Sequence, residues 1–102
     1  MPTLQDALNH LGIDYEDTVV SANVQRALNT AVKTMHGAVG VDVETYLPND
    51  PRIDELVLIY TDDLYSERGV SAKVSNATRL MVNTMELQLR MELREAKEAA
   101  SV

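Results

Sequence analysis

Two histidines, His10 and His36, and two acidic groups, Asp14, Glu16 and Asp17 and then Asp62 and Asp63, are the side chains of this sequence best suited to chemistry. An imidazole could serve as a general base or a metal ligand, and clustered carboxylates could hold a hard cation. The spacing argues against both. There is no cysteine to pair with a histidine, and no Ser-His-Asp or His-Glu-x-x-His arrangement can be assembled. Each histidine falls near the end of a helical pattern, where a solvated or capping imidazole is the simpler reading. Neither acidic group has the Asp-x-Asp-x-Asp-Gly spacing of a calcium loop. Both read as solvated faces, the first placed to complement a helix dipole. Gly37-Ala-Val-Gly40 lacks the Lys-Ser/Thr of a phosphate cradle and reads as a helix stop. Met81, Met85 and Met91 read as adaptable packing rather than a cofactor site. No catalytic, cofactor-binding or metal-ligating residue is assigned, no cofactor is expected, and the expectation is a protein that is not an enzyme.

The elements that carry these residues are helical. Thr3 can cap a short first helix with apolar Leu4, Ala7, Leu8 and Leu11, stopped by Gly12. Asp17 or Thr18 caps a second helix from Val19 to about Ala38, whose stripe is Val20, Val24, Ala27, Leu28, Ala31, Val32 and Met35. Gly37 and Gly40 end it. The alternation from Val41 to Leu47 is compatible with a short extended segment or a loop. Asp50 as cap with Pro51 at the first helical position starts a third helix to about Arg68, facing the core with Ile53, Leu56, Val57, Tyr60 and Leu64 and closed by Gly69. A fourth helix runs from about Asn76 towards Ala99. The fold class expected is all-α: a single domain over residues 1–102, a small bundle of about four helices with a long C-terminal helix and a central loop or short extended segment near residues 40–50.

The last helix has more apolar surface than a chain of 102 residues can cover by itself. At about 100° per residue, Arg79, Asn83, Glu86, Arg90, Arg94 and Lys97 share one polar sector. Leu80, Met81, Val82, Met85, Leu87, Leu89, Met91 and Leu93 spread over most of the rest. One face packs inward and a partner chain is the natural cover for the remainder. The subunit contact expected from this pattern uses Leu80, Met81, Leu87 and Met91. Arg79, Arg90 and Arg94 would pair across to acids such as Asp62, Asp63 and Glu67.

Charge is uneven. The net charge is -7, and residues 1–70 hold 12 acids against 4 bases while residues 71–102 hold 4 acids against 5 bases. So acidic a first part repels phosphate, and any basic contact must come from the C-terminal third. The absence of cysteine fits a reducing compartment. Neither a signal peptide nor a membrane span is evident, so a cytoplasmic site of synthesis is expected.

Beyond these patterns, the run Asp50-Pro-Arg-Ile-Asp-Glu-Leu-Val-Leu-Ile-Tyr-Thr-Asp-Asp-Leu-Tyr-Ser-Glu-Arg-Gly69 and the run Val74-Ser-Asn-Ala-Thr-Arg-Leu-Met-Val-Asn-Thr-Met-Glu-Leu-Gln-Leu-Arg90 resemble the head–tail connector (adaptor) family of HK97-type tailed bacteriophages, also labelled phage DNA-packaging proteins. The Asp-Leu-Tyr-x-x-Arg-Gly stretch from Asp63 to Gly69 and the Val-Ser-Asn-Ala opening are the distinctive parts. The opening Leu4-Gln-Asp-Ala-Leu-Asn-His-Leu-Gly-Ile-Asp14 is similar to the family's start. The resemblance implies a structural virion subunit that forms a homo-oligomeric ring on the portal protein, extends the DNA channel and docks the next tail-completion or stopper protein. Genome DNA would pass without tight binding and no membrane would be involved. The place of action would be the head–tail interface of the virion, after assembly in the host bacterial cytoplasm. The alternative is a DNA-packaging accessory protein that binds DNA, as a small terminase subunit does. It would need a basic face that the first 70 residues do not supply.

Overall fold

The computed structural model describes residues 1–66 and 76–101, and among these every regular element is a helix. In chain order they are α1 (Leu4–His10), α2 (Thr18–Ala38), α3 (Val43–Tyr46), α4 (Pro51–Ser66) and α5 (Asn76–Ala100). Glu67, Arg68 and Gly69, and with them the expected close of the third helix and the loop after it, lie outside the described residues.

Local chemistry explains each start. Thr3 Oγ1 accepts the Asp6 amide at 3.1 Å while the Thr3 amide donates to Asp6 Oδ2 at 2.9 Å, a reciprocal capping box for α1. Those bonds hold the Asp6 carboxyl below its usual range, the Thr3 backbone first. Gly12 takes φ +74, a left-handed conformation that ends α1 at low cost. Asp17 caps α2, with Oδ1 accepting the Val19 and Val20 amides at 2.9 and 3.1 Å. Asp50 Oδ1 does the same for the Arg52 amide at 2.9 Å, one residue into a helix begun by Pro51.

Two local expectations are corrected. The segment near residues 41–47 is neither extended nor irregular throughout: Val43 to Tyr46 form one helical turn, α3, closed by the Leu47 amide on the Val43 carbonyl at 2.8 Å. Strict alternation would have put Val41 and Val43 on one side. Instead Val41 is 76% exposed while Val43 is fully buried, and one turn of helix lets a single valine reach the core from a short connection. Gly37 does not stop α2 either. It lies inside the last turn, and the break falls at Gly40, where φ is +153 and a Cβ would stand 2.5 Å from Leu93 Cδ2. Close approach of α5 to this backbone makes glycine necessary there.

The core is built on the pair α2 and α4. Val24, Leu28, Ala31 and Met35 of α2 face Ile53, Leu56 and Val57 of α4, with Ala7 of α1, Val43 of α3 and Leu89 and Leu93 of α5 completing it. Leu56, Val57, Met35 and Val24 are wholly buried, each burial being favourable by about 1.5–3 kcal/mol. Thr61 is the one buried polar side chain among the described residues, and its hydroxyl donates to the Val57 carbonyl at 2.7 Å. The molecule is elongated, 50 × 28 × 18 Å, because α5, about 37 Å long at 1.5 Å per residue, lies along the body as a separate layer.

Candidate functional site

The two faces of α5 are the feature that distinguishes this molecule. Leu89 and Leu93 are buried, and Val82 and Met85 pack against the core. Leu80, Leu87 and Met91 are 69%, 52% and 53% exposed. At about 100° per residue, these three fall within about 40° of one another, and their centre stands about 180° from Leu89. Met81, 45% exposed, stands to one side of this stripe. The apolar arc therefore divides into an inward seam and an outward stripe, and the four residues expected from sequence to make subunit contacts are all on the solvent side.

Polar bonds fasten the inward face at three levels. The Tyr60 hydroxyl of α4 donates to Glu86 Oε1. Burial, and then the Glu86 carboxylate, push the Tyr60 phenol well above its ordinary pKa. One α-helical turn and a half further on, Arg52 grips Glu92 with two nitrogens, Nη1 to Oε2 at 2.6 Å and Nη2 to Oε1 at 2.8 Å, and holds Asp50 through Nε and Nη2 at 3.0 and 2.6 Å. The guanidinium holds both carboxyls below their usual range. Last, Lys97 Nζ lies 2.8 Å from Asp42 Oδ2 and 5.9 Å from the centre of the Tyr46 ring. Its hydrogen bond lowers the Asp42 pKa.

The polar sector read from sequence is thus not uniformly solvated. Glu86 and Lys97 sit at its inner border and turn to the body, so Glu86 answers Tyr60 rather than an arginine one turn on. Arg79, Arg90 and Arg94 are exposed, and among the described residues none of them makes an ion pair within the chain. Their expected acidic counterparts do not form one patch. Asp62 lies 3.9 Å from His10 Nε2, on the flank that α1 covers, Asp63 is about 100° further round α4, and Glu67 is outside the described residues.

Of the remaining candidates for chemistry, His36 is occupied structurally. His36 Nε2 donates to Glu44 Oε1 at 2.6 Å, tying α2 to α3 beside an open cleft of about 440 Å³ that Leu47, Asp50 and Asp54 also line. This pairing was not foreseeable from sequence, because it depends on α3 being helical. Among the described residues no three histidine or acidic side chains are grouped to hold a metal ion, and no helix is long and apolar enough to cross a membrane.

Compared with models of known protein families, with curated proteins and with solved structures, the chain matches none.

Proposed function

We propose that this chain is a structural subunit of a phage or prophage head–tail connector, assembling as a ring on the portal, extending the DNA channel and docking the next tail component. The observation that carries the reading is the outward stripe Leu80, Leu87 and Met91, set opposite the packed face of the same helix. Apolar side chains aligned along a surface helix mark a protein contact more often than a solvated face. The resemblance of residues 50–69 and 74–90 to connector subunits supplies what is assembled. The excess of 12 acids over 4 bases in residues 1–70 suits a channel component past which DNA slides unbound.

Light scattering on the chain alone and mixed with a portal protein tests the reading. Ring-sized particles alone, or co-sedimentation with the portal, are expected. A chain that stays monomeric in both and never co-sediments overturns it. One observation favours the second reading, a DNA-binding packaging accessory: Arg79, Arg90 and Arg94 are exposed with no ion pair within the chain among the described residues. A mobility shift with duplex DNA that weakens steeply with salt would support it.

A further inference from the structure

A ring closes only if each subunit carries two different surfaces that fit one another. The outward stripe of α5 is one, and the fold places a suitable second surface on the opposite flank. Around α4, the side that takes α5 through Arg52 and Tyr60 and the side that takes α1 through Asp54 and Asp62 are centred about 160° apart. On that second flank the Met1 amino group lies 3.3 Å from Asp54, and His10 lies 3.9 Å from Asp62. Between α1 and the start of α2 there is an open hollow of about 910 Å³. Leu4, Leu8, Ile13 and Tyr15 line it together with polar side chains, Asp14 and Glu16 among them. Tyr15 is 58% exposed and Val19, just beyond, 69%.

We propose that this hollow receives the outward stripe of α5 from a second copy of the chain. Leu80, Leu87 and Met91 of one copy then lie over Leu4, Leu8 and Ile13 of the next, and Arg90 and Arg94 face Asp14 and Glu16. The match is of shape and of charge. An apolar helical stripe enters a concave surface that offers Leu4, Leu8, Ile13 and Tyr15 among polar side chains, in the manner of helix-in-groove recognition. The arginines that flank the stripe without an ion pair of their own meet the acids that line the hollow. The contact is head to tail, so an open chain of copies leaves one stripe and one hollow free at its ends until a ring closes. This inference rests on the ring reading above. It also reassigns the acidic side of the contact from Asp62 and Asp63, which lie on different flanks of α4, to Asp14 and Glu16.

The sequence contains no cysteine, so exposed positions can be tagged singly. Asn9→Cys marks the hollow and Thr84→Cys the stripe, and a short bis-maleimide then links thiols that lie close. The double variant is expected to yield a ladder of dimers, trimers and higher species at high protein concentration, and each single variant to stay monomeric on a denaturing gel. Arg90→Glu in the double variant should lower the ladder about tenfold, as for one lost interfacial charge pair, and Glu16→Arg added to it should restore the ladder. Thr84→Cys alone linking into dimers as completely as the double variant overturns the inference, because the stripe then pairs with itself. Absence of a ladder also overturns it. Light scattering of the unmodified chain at the same concentration separates the two ideas: oligomers without a ladder leave the ring reading standing, whereas a monomer that also ignores the portal removes both.

Discussion

The α2–α4 pair and helix α5 are attached to the same core by different physics. Between α2 and α4 the contact is apolar along its length, with Met35, Leu56, Val24 and Val57 wholly buried. Among the described residues helix α5 contributes Leu89 and Leu93 to the buried set, with Val82 and Met85 packed at the margin of the core, and Glu86, Glu92 and Lys97 bonded to Tyr60, Arg52 and Asp42 add a polar attachment. The first arrangement is strong and indifferent to pH. The second is weaker per contact and directional, and it leaves the far side of the helix free for another chain. On the proposed ring reading, folding and assembly fall to different elements.

The contrast is sharpest under mutation. Leu56→Ala should cost about 2–5 kcal/mol through lost burial and a cavity, read as a large fall in the thermal or urea midpoint. A loss within error would mean that the α2–α4 core is looser than its burial indicates. Gly40→Ala, which pushes a methyl group against Leu93, should cost about 1–2 kcal/mol and act mainly on α5. Amide hydrogen exchange should quicken in residues 85–97 before it does in α2. Uniform quickening would break the distinction between the two regions.

Acid should discriminate as well. The Asp50 and Glu92 carboxyls have lowered pKa values in the folded chain, Arg52 being the chief cause. Their contribution is therefore complete above the ordinary carboxylate values of 3.8 and 4.5 and is lost as pH falls through the lower, folded values. Melting temperature followed downward from neutral pH should decline below about pH 4.5, and Glu92→Gln should flatten that decline. An unchanged slope would remove the clamp from the account. The smallest effect on stability is expected at the outward stripe. Leu87→Asp should change unfolding free energy by less than about 1 kcal/mol, leave helix content intact and abolish assembly. If it unfolds the monomer, Leu87 belongs to the core.

Much of this architecture is legible in the sequence because its cause is local. Thr3, Asp17 and Asp50 are capping residues at the heads of periodic apolar segments, and all three cap the helices expected of them. The stripes of α2 and α4 face inward as their spacing requires. What could not be read depends on contacts between distant segments. The single turn α3 exists because Val43 is drawn into a core assembled by other elements. Gly37 can remain helical because the close approach of Leu93 falls at Gly40. On α5 the apolar excess was evident from the count, and the residues taken from it for a subunit contact, Leu87 among them, are exposed while Leu89 is fully buried; periodicity sets those two leucines on opposite faces, and contacts with distant segments decide which face turns inward. The hollow beside α1 has no sequence signal at all, since its residues come from two helices and the turn between them.

The order of charges that fasten α5 also works as a key. Reading along the helix, Glu92 meets a cation, Arg52, and five residues later Lys97 meets an anion, Asp42. Were the helix to slide so that Lys97 came opposite Arg52, or Glu92 opposite Asp42, like charges would meet in place of unlike ones. Apolar seams tolerate slippage by a turn, because one leucine fits roughly where another did; alternating signs do not. The outward stripe is thereby held at one height and one rotation relative to the body, which is the alignment that every joint of a closed ring would have to share.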